Sequence, residues 1–250
     1  LLHIEGYFQV WAATGNGEIV IWHSETLNRL RVIVTDKNGI YSLQRFGDII
    51  CVGCANGSIL GYTIKDHKKQ FELKEHTSPV RTIISLERKI ITKKGKPATM
   101  TIIFSGDGDG NLCMWIPKKK TKLQLKQKIK VSSYIGSLCV HYGFICVGTE
   151  SSIFLLDSNL NTVVEWKGHK NLVTCLVSFG NEVWSGSADG TIRVWNPQSE
   201  VCVGGPLTGH TSKVLCMTAT DEYIWSGGFD TAVLLWHPTK KVLVQELESQ

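Results

Sequence analysis

Short apolar runs alternate with short polar turns along this chain. Six stretches share one layout: VWAATGNGEIVIW (10–22), ICVGCANGSILGY (50–62), FSGDGDGNLCMW (104–115), ICVGTESSIFLL (145–156), VWSGSADGTIRVW (183–195) and IWSGGFDTAVLLW (224–236). Each holds a β-rich run, a turn of Gly, Asp or Asn, and a second run ending in a large apolar side chain. That pattern predicts two strands joined by a tight hairpin. The closing residues are Trp22, Tyr62, Trp115, Leu156, Trp195 and Trp236, at successive intervals of 40, 53, 41, 39 and 41 residues.

A period near 40 with this alternation predicts an all-β fold of four-stranded propeller blades. One small sheet cannot bury both of its faces, whereas neighbouring sheets stacked around an axis bury them for each other. Each repeat reads as strands A to D. In the fifth, LVTCLVS is A, VWSGS is B, TIRVW is C and EVCVGG is D, with Asp189-Gly190 in the B–C turn. The blades are expected at about 1–35, 36–75, 76–130, 131–168, 169–209 and 210–250 of a single propeller domain.

These repeats resemble WD40 repeats over essentially the whole chain. Such repeats carry Gly-His before strand A, Ser or Thr in strand B, Asp in the B–C turn and Trp closing strand C. In that family the four side chains form a hydrogen-bonded chain. The resemblance implies such a chain in repeat five from His169, Ser185, Asp189 and Trp195, after Gly168. It implies another in repeat six from His210, Ser226, Asp230 and Trp236, after Gly209. A third is implied in repeat three from His76, Ser105, Asp109 and Trp115, with Glu75 in place of the Gly. The other repeats are reduced. Repeat one has Asn16 in the turn, repeat two has Asp36 where His is expected and ends in Tyr62, and repeat four has Glu150-Ser151-Ser152 in the turn and ends in Leu156. Those blades are expected to hold by packing and to open more easily. Six blades are visible, from LLHIEG as strand A of the first to KVLVQELESQ as strand D of the last. Two closures stay open: six blades meet directly, or a seventh lies outside this sequence. The start at Leu1 rather than Met reads as a piece of a longer protein, with other domains in the same chain.

Composition narrows the chemistry. Hydrophobic residues make up 42% and charged residues 20% of the 250, an ordinary globular balance. The eight cysteines lie mostly in strand-like runs, where a thiol acts as a small hydrophobe, and this points to a reducing, cytoplasmic setting. Cys51-Val-Gly-Cys54 has metal-ligand spacing but no second pair at finger spacing, so no metal and no cofactor is expected. GDGDGN at 106–111 lacks the spaced ligands of a calcium loop and reads as a turn. No phosphate loop, nucleophile elbow or dinucleotide fingerprint appears. The recurring His, Asp and Ser suggest a hydrolytic triad, but their recurrence in three repeats favours a structural role.

Charge is uneven. The formal net charge is +5, and residues 118–130 alone hold seven lysines. Leu123, Leu125 and Ile129 alternate there with Lys122, Gln124, Lys126, Lys128 and Lys130, which predicts an outer strand with one lysine-rich face. Charge on such a strand also guards its edge. The long third interval reflects an insertion near 87–100 between strands A and B of repeat three. The resemblance implies that A–B and C–D loops share one face of the disc. Arg88, Lys89, Lys93, Lys94, Lys96, Lys118, Lys119, Lys120 and Lys122 are then expected on one rim, facing anionic lipid, RNA or another acidic partner. Polar and charged residues near the B–C turns, among them Lys170, Lys213 and Asn38, are expected on the opposite face with Phe229, an aromatic with little local reason to sit in a tight turn. The expected function is a non-catalytic protein-interaction scaffold that takes a protein or peptide partner and no small-molecule substrate, within a larger cytoplasmic signalling protein that is peripheral to membranes where the rim engages lipid.

Overall fold

The computed structural model describes residues 1–36, 39–91, 95–119, 122–198 and 201–247, apart from the side chain of Lys119. All of its regular structure is strand. The first sheet contains β1 (Leu2–Ile4), β2 (Gln9–Ala13), β3 (Glu18–His23) and β4 (Arg29–Val34). The second contains β5 (Ile40–Phe46), β6 (Ile49–Cys54), β7 (Ile59–Thr63) and β8 (Lys69–Leu73). The third contains β9 (Val80–Ile91), β10 (Pro97–Asp107), β11 (Asn111–Lys119) and β12 (Lys122–Lys130). The fourth contains β13 (Ser137–His141), β14 (Phe144–Gly148), β15 (Ser152–Leu156) and β16 (Thr162–Lys167). The fifth contains β17 (Val173–Phe179), β18 (Glu182–Ser187), β19 (Ile192–Asn196) and β20 (Val201–Leu207). The sixth contains β21 (Val214–Ala219), β22 (Ile224–Gly228), β23 (Val233–His237) and β24 (Val242–Leu247). Every sheet is a four-stranded antiparallel meander in chain order, the topology of a propeller blade.

The chain forms two compact units, Leu1–Ser133 and Tyr134–Gln250, each holding three of these sheets. Within a unit, successive sheets pack face to face. In the first unit, Trp11, Ile19 and Ile21 of sheet one bury against Ile50, Val52, Leu60 and Tyr62 of sheet two. The other face of sheet two, with Cys51 and Ile59, packs on Ile83, Ile103, Cys113 and Trp115 of sheet three. In the second unit, Cys146, Ile153 and Leu155 of sheet four meet Leu176, Val183 and Trp195 of sheet five. Trp184, Ile192 and Val194 on the far face of sheet five then meet Val214, Ile224, Leu234 and Trp236 of sheet six. Period two puts alternate residues on opposite faces, so an inner sheet that is apolar at every position is buried on both sides. β6 shows this: Ile49 to Cys54 are all buried.

Tight turns set the register. Gly57 and Gly190 have φ of +82°, which side-chain-bearing residues rarely adopt. A Cβ on Gly57 would also meet the carbonyl oxygen of His76 at 2.4 Å, so the β6–β7 turn rests directly on the backbone leading into sheet three.

Sheet three departs from the expectation of an inserted loop. Residues 87–91 and 97–100 continue the A and B strands as a paired ladder, Glu87↔Thr101 to Ile91↔Pro97. Pro117 and Lys118 likewise lie within β11 rather than in a connection. Measured from the aligned pairs Ile103↔Trp115 and Val183↔Trp195, β10 begins six residues before its pair and β18 one. The five extra residues carry the end of sheet three about 17 Å farther, at about 3.3 Å per strand residue. β12 also differs from the predicted alternation. Trp115 pairs with Leu125 but Met114 pairs with Gln127, so one residue bulges out and the faces switch. Leu123 and Leu125 share the Trp115 face, whereas Ile129, paired with Leu112, lies on the other.

Candidate functional site

Three sheets carry a buried chain of four side chains at the end where strands B and C turn. In sheet five, Trp195 Nε1 donates to Ser185 Oγ at 2.8 Å. Ser185 Oγ lies 2.7 Å from His169 Nε2, and His169 Nδ1 lies 3.0 Å from Asp189 Oδ2. An indole N–H only donates, so the chain has one direction. Ser185 accepts from Trp195 and donates its own proton to Nε2. The imidazole proton then sits on Nδ1 and is donated to the carboxylate. Burial pulls the His169 pKa down, against the upward pull of Asp189, in keeping with a neutral ring. Burial also pushes Asp189 up, but donors from Thr191, the Lys170 backbone and His169 outweigh it and hold this carboxyl at about 2.

Sheet six repeats the arrangement. Trp236 Nε1 donates to Ser226 Oγ at 2.8 Å, Ser226 lies 2.8 Å from His210 Nε2, and His210 Nδ1 donates to Asp230 at 3.0 Å. Burial raises Asp230, and the Thr211 and Ala232 backbone N–H groups with His210 bring it below the usual carboxylate range.

Sheet three corrects the expected set. Trp115 Nε1 donates to Ser105 Oγ at 2.8 Å and Ser105 lies 2.7 Å from His76 Nε2, but the carboxylate on His76 Nδ1 is Asp107, at 2.7 Å, not Asp109. Residues two apart on a strand point to the same face, so Asp107 reaches the ring beside Ser105. Sheet five has Ser187 at that place, and His169 there donates to the turn residue Asp189 instead. Asp107 also accepts from the backbone of Asp109 and Asn111 and from Asn111 Nδ2. Burial pushes Asp107 up, yet the bonds from His76 and Asn111 hold it at about 2. Asp109 is displaced to the surface, where its carboxylate accepts from Thr77 Oγ1 at 3.2 Å and its carbonyl accepts from Lys130 Nζ.

The order Asp–His–Ser matches a hydrolytic triad, but the hydroxyl is sealed. Ser105, Ser185 and Ser226 are buried under Trp115, Trp195 and Trp236, whose indole N–H groups occupy the side a substrate would need. Cys51 and Cys54 point to opposite faces of β6, one packed toward sheet three and the other toward sheet one. Burial pushes the Cys51 thiol up to about 12, so it stays protonated. Among the described residues, no three of His, Cys, Asp and Glu converge as a metal site.

Reduced sheets use other devices. In the first unit Trp11 Nε1 donates to the buried Gln9 Oε1 at 3.0 Å, and His67 Nε2 approaches the same oxygen at 3.3 Å. In the second unit Trp166 of sheet four stacks on Trp195 of sheet five, with centroids 5.7 Å apart and planes 12° from parallel.

The surface residues separate into two groups. At the B–C end of the second unit, Lys170, Lys213 and Phe229 are exposed. Phe229 is 69% exposed, its backbone N–H held by the Lys213 carbonyl at 2.8 Å, so the ring stands largely clear of its neighbours. At the opposite end of sheet three, the extended strands carry Arg88, Lys89, Lys118 and Lys122, and Lys96 stands just before β10, all exposed. Met100 pairs with Arg88 and Thr99 with Lys89, so these two basic groups face opposite sides. Asn38, Lys93, Lys94, Lys120 and the side chain of Lys119 lie outside the described residues.

One further feature lies outside the expectations from sequence. His141, Tyr142, Phe144, Asn181, Pro197 and Gln198 line a pocket of about 210 Å³ between sheets four and five. Tyr142 has φ of +46° and is 72% exposed, with its hydroxyl donating to Asn181 Oδ1 at 3.0 Å. The signal that could find it is Tyr142-Gly143 between two apolar runs, an aromatic in a tight turn like Phe229.

A family model described as WD domain, G-beta repeat matches residues 160–196, the stretch that contains His169, Ser185, Asp189 and Trp195. The chain is 29% identical over 193 residues to the probable serine/threonine-protein kinase pats1 of Dictyostelium discoideum, covering 75% of this chain and 6% of that protein. It is 35% identical over 88 residues to WD repeat-containing protein 18 of Rattus norvegicus, covering 29% of this chain and 20% of the relative. The same-named protein of Danio rerio is 39% identical over 79 residues, 25% of this chain and 18% of the relative. The chain thus spans only a small part of each relative's length. Six four-stranded meanders, three Trp–Ser–His–Asp chains and these matches agree: the fold is consistent with a WD40 propeller, and residues 160–196 match a WD repeat, a kind of repeat that generally serves as a scaffold for protein interaction.

Proposed function

We propose that this chain is a non-catalytic scaffold module that binds a protein or peptide at the B–C end of its second unit and belongs to a larger cytoplasmic signalling protein. The observation that carries the reading is the exposed Phe229 beside exposed Lys213, on turns anchored by the buried His–Asp pairs. An aromatic held in place by the backbone beneath it loses little entropy on binding, and aromatic and basic side chains recur as interface anchors. The similarity to pats1, named as a probable kinase, supports a signalling context. The test is a photo-crosslinker at position 229, compared with Phe229→Ala in a pull-down. Partners that crosslink at 229 and are lost in the variant, with melting unchanged, fit the proposal. A melting temperature that falls with Phe229→Ala, or an unchanged set of partners, contradicts it.

A second reading is favoured by the extended end of sheet three: an adaptor whose basic strands meet an acidic partner. Five described basic side chains stand there, and Glu87 is the one acidic residue within 86–101 and 116–124. The attraction should fall steeply with salt, because the groups lie in water and the screening length is about 8 Å at physiological ionic strength. Binding that survives high salt contradicts this reading.

A further inference from the structure

The extended end of sheet three combines two features that a merely charged edge does not need. Its basic groups lie on both faces. Arg88 shares the face of Met100, while Lys89 shares that of Thr99. A partner resting on one face would meet part of this set. A plane approached end-on is open to groups from both faces. The second feature is Ile91, which ends β9 at the far end of the ladder and is 78% exposed. A branched aliphatic side chain so exposed is the group that a lipid interface rewards. Residues 86–101 and 116–124 contain no Phe, Trp, Tyr or His, so there is nothing on which nucleic-acid bases would stack.

We infer that the extended end of sheet three docks end-on onto an anionic bilayer, with Ile91 entering the interface while Arg88, Lys89, Lys96, Lys118 and Lys122 meet the headgroups. This rests on the acidic-partner reading above and commits it to one surface. A single aliphatic side chain gives weak insertion and the basic groups supply most of the attraction, so binding is reversible and sensitive to salt.

The experiment is co-sedimentation of the 250-residue chain with phosphatidylcholine vesicles, with and without phosphatidylserine, beside retention on an RNA homopolymer. Each basic group near an anionic surface is worth about fivefold in binding, so Lys118→Gln with Lys122→Gln should weaken retention on phosphatidylserine vesicles roughly 25-fold. An Ile91→Trp variant, measured against the parent chain, should show a blue-shifted emission on those vesicles and none on phosphatidylcholine alone. Both side chains of the lysine variant are exposed, and a melting curve checks that it remains folded. Retention that depends on the lysines, with no emission shift from the indole placed at position 91, overturns the bilayer inference and leaves the acidic-partner reading standing. Retention on RNA but not on vesicles does the same. Retention on neither, or retention indifferent to the lysines, overturns both.

Discussion

Sheets three and five carry the same buried chain of Trp, Ser, His and Asp, yet they differ at both ends. At the turn end the carboxylate moves from residue 189, four after the serine, to residue 107, two after it, and the hydrogen-bonded geometry survives. At the other end sheet five stops one residue past its Trp-level pair, while sheet three runs on for six. The lesson is a division of labour within one blade. The turn end is constrained by buried donors and acceptors that must all be paired, so sequence change there is compensated. Among the described residues the far end shows no such chain, and strands can lengthen there and gather charge at little cost to the core.

The sharpest break in this comparison is at the shared serine. Ser185→Ala leaves the Trp195 N–H and His169 Nε2 buried without their partner, at about 3 kcal/mol. For a chain of this size that is roughly 6 to 12 °C in melting temperature, provided unfolding is two-state. Asp107→Ala should cost about 2 to 3 kcal/mol by the same argument. Asp109→Ala, at the surface, should cost less than about 1 kcal/mol, and the pair of values from denaturant unfolding checks which carboxylate holds His76.

Acid should weaken the turn ends in two steps. His169 binds a proton less tightly in the fold than in the unfolded chain, so stability falls as pH drops below its ordinary value of 6.5. Asp107 and Asp189, held at about 2 against an ordinary 3.8, also bind protons more weakly when folded. Their contribution is present above pH 3.8 and is lost as pH falls toward about 2. Urea midpoints at about pH 7, 5 and 3 read both steps, and a midpoint that rises with acid contradicts them. The smallest effect belongs to the far end: Lys118→Gln with Lys122→Gln should leave stability within about 0.5 kcal/mol of the parent.

Much of this fold is legible because each repeat states it again. Strand alternation, turn glycines and the spacing from Ser185 to Trp195 recur in repeats five and six, and the resemblance to WD40 repeats that they carry implies the chains the structure forms from Trp195, Ser185, His169 and Asp189 and from Trp236, Ser226, His210 and Asp230. The carboxylate of repeat three is not legible in this way because two aspartates compete, and alignment by turn position selects Asp109 where strand geometry selects Asp107. The bulge that moves Ile129 away from Leu123 and Leu125 depends on pairing between strands, which alternation along one strand does not contain. The insertion at 87–100 is visible as extra length, but a ladder and a loop differ in cross-strand hydrogen bonds rather than in composition. The Tyr142 pocket is assembled from three separate turns, so no single stretch of sequence announces it.

The division of labour is tested most directly by the melting temperature of a chain in which residues 87–100 are replaced by a turn as short as the one joining β17 to β18. The account predicts a cooperative transition within about 3 °C of the parent, equivalent to about 1 kcal/mol. A transition that broadens or falls by as much as that of Ser185→Ala would mean that the extended end supports the core, and the account would be wrong.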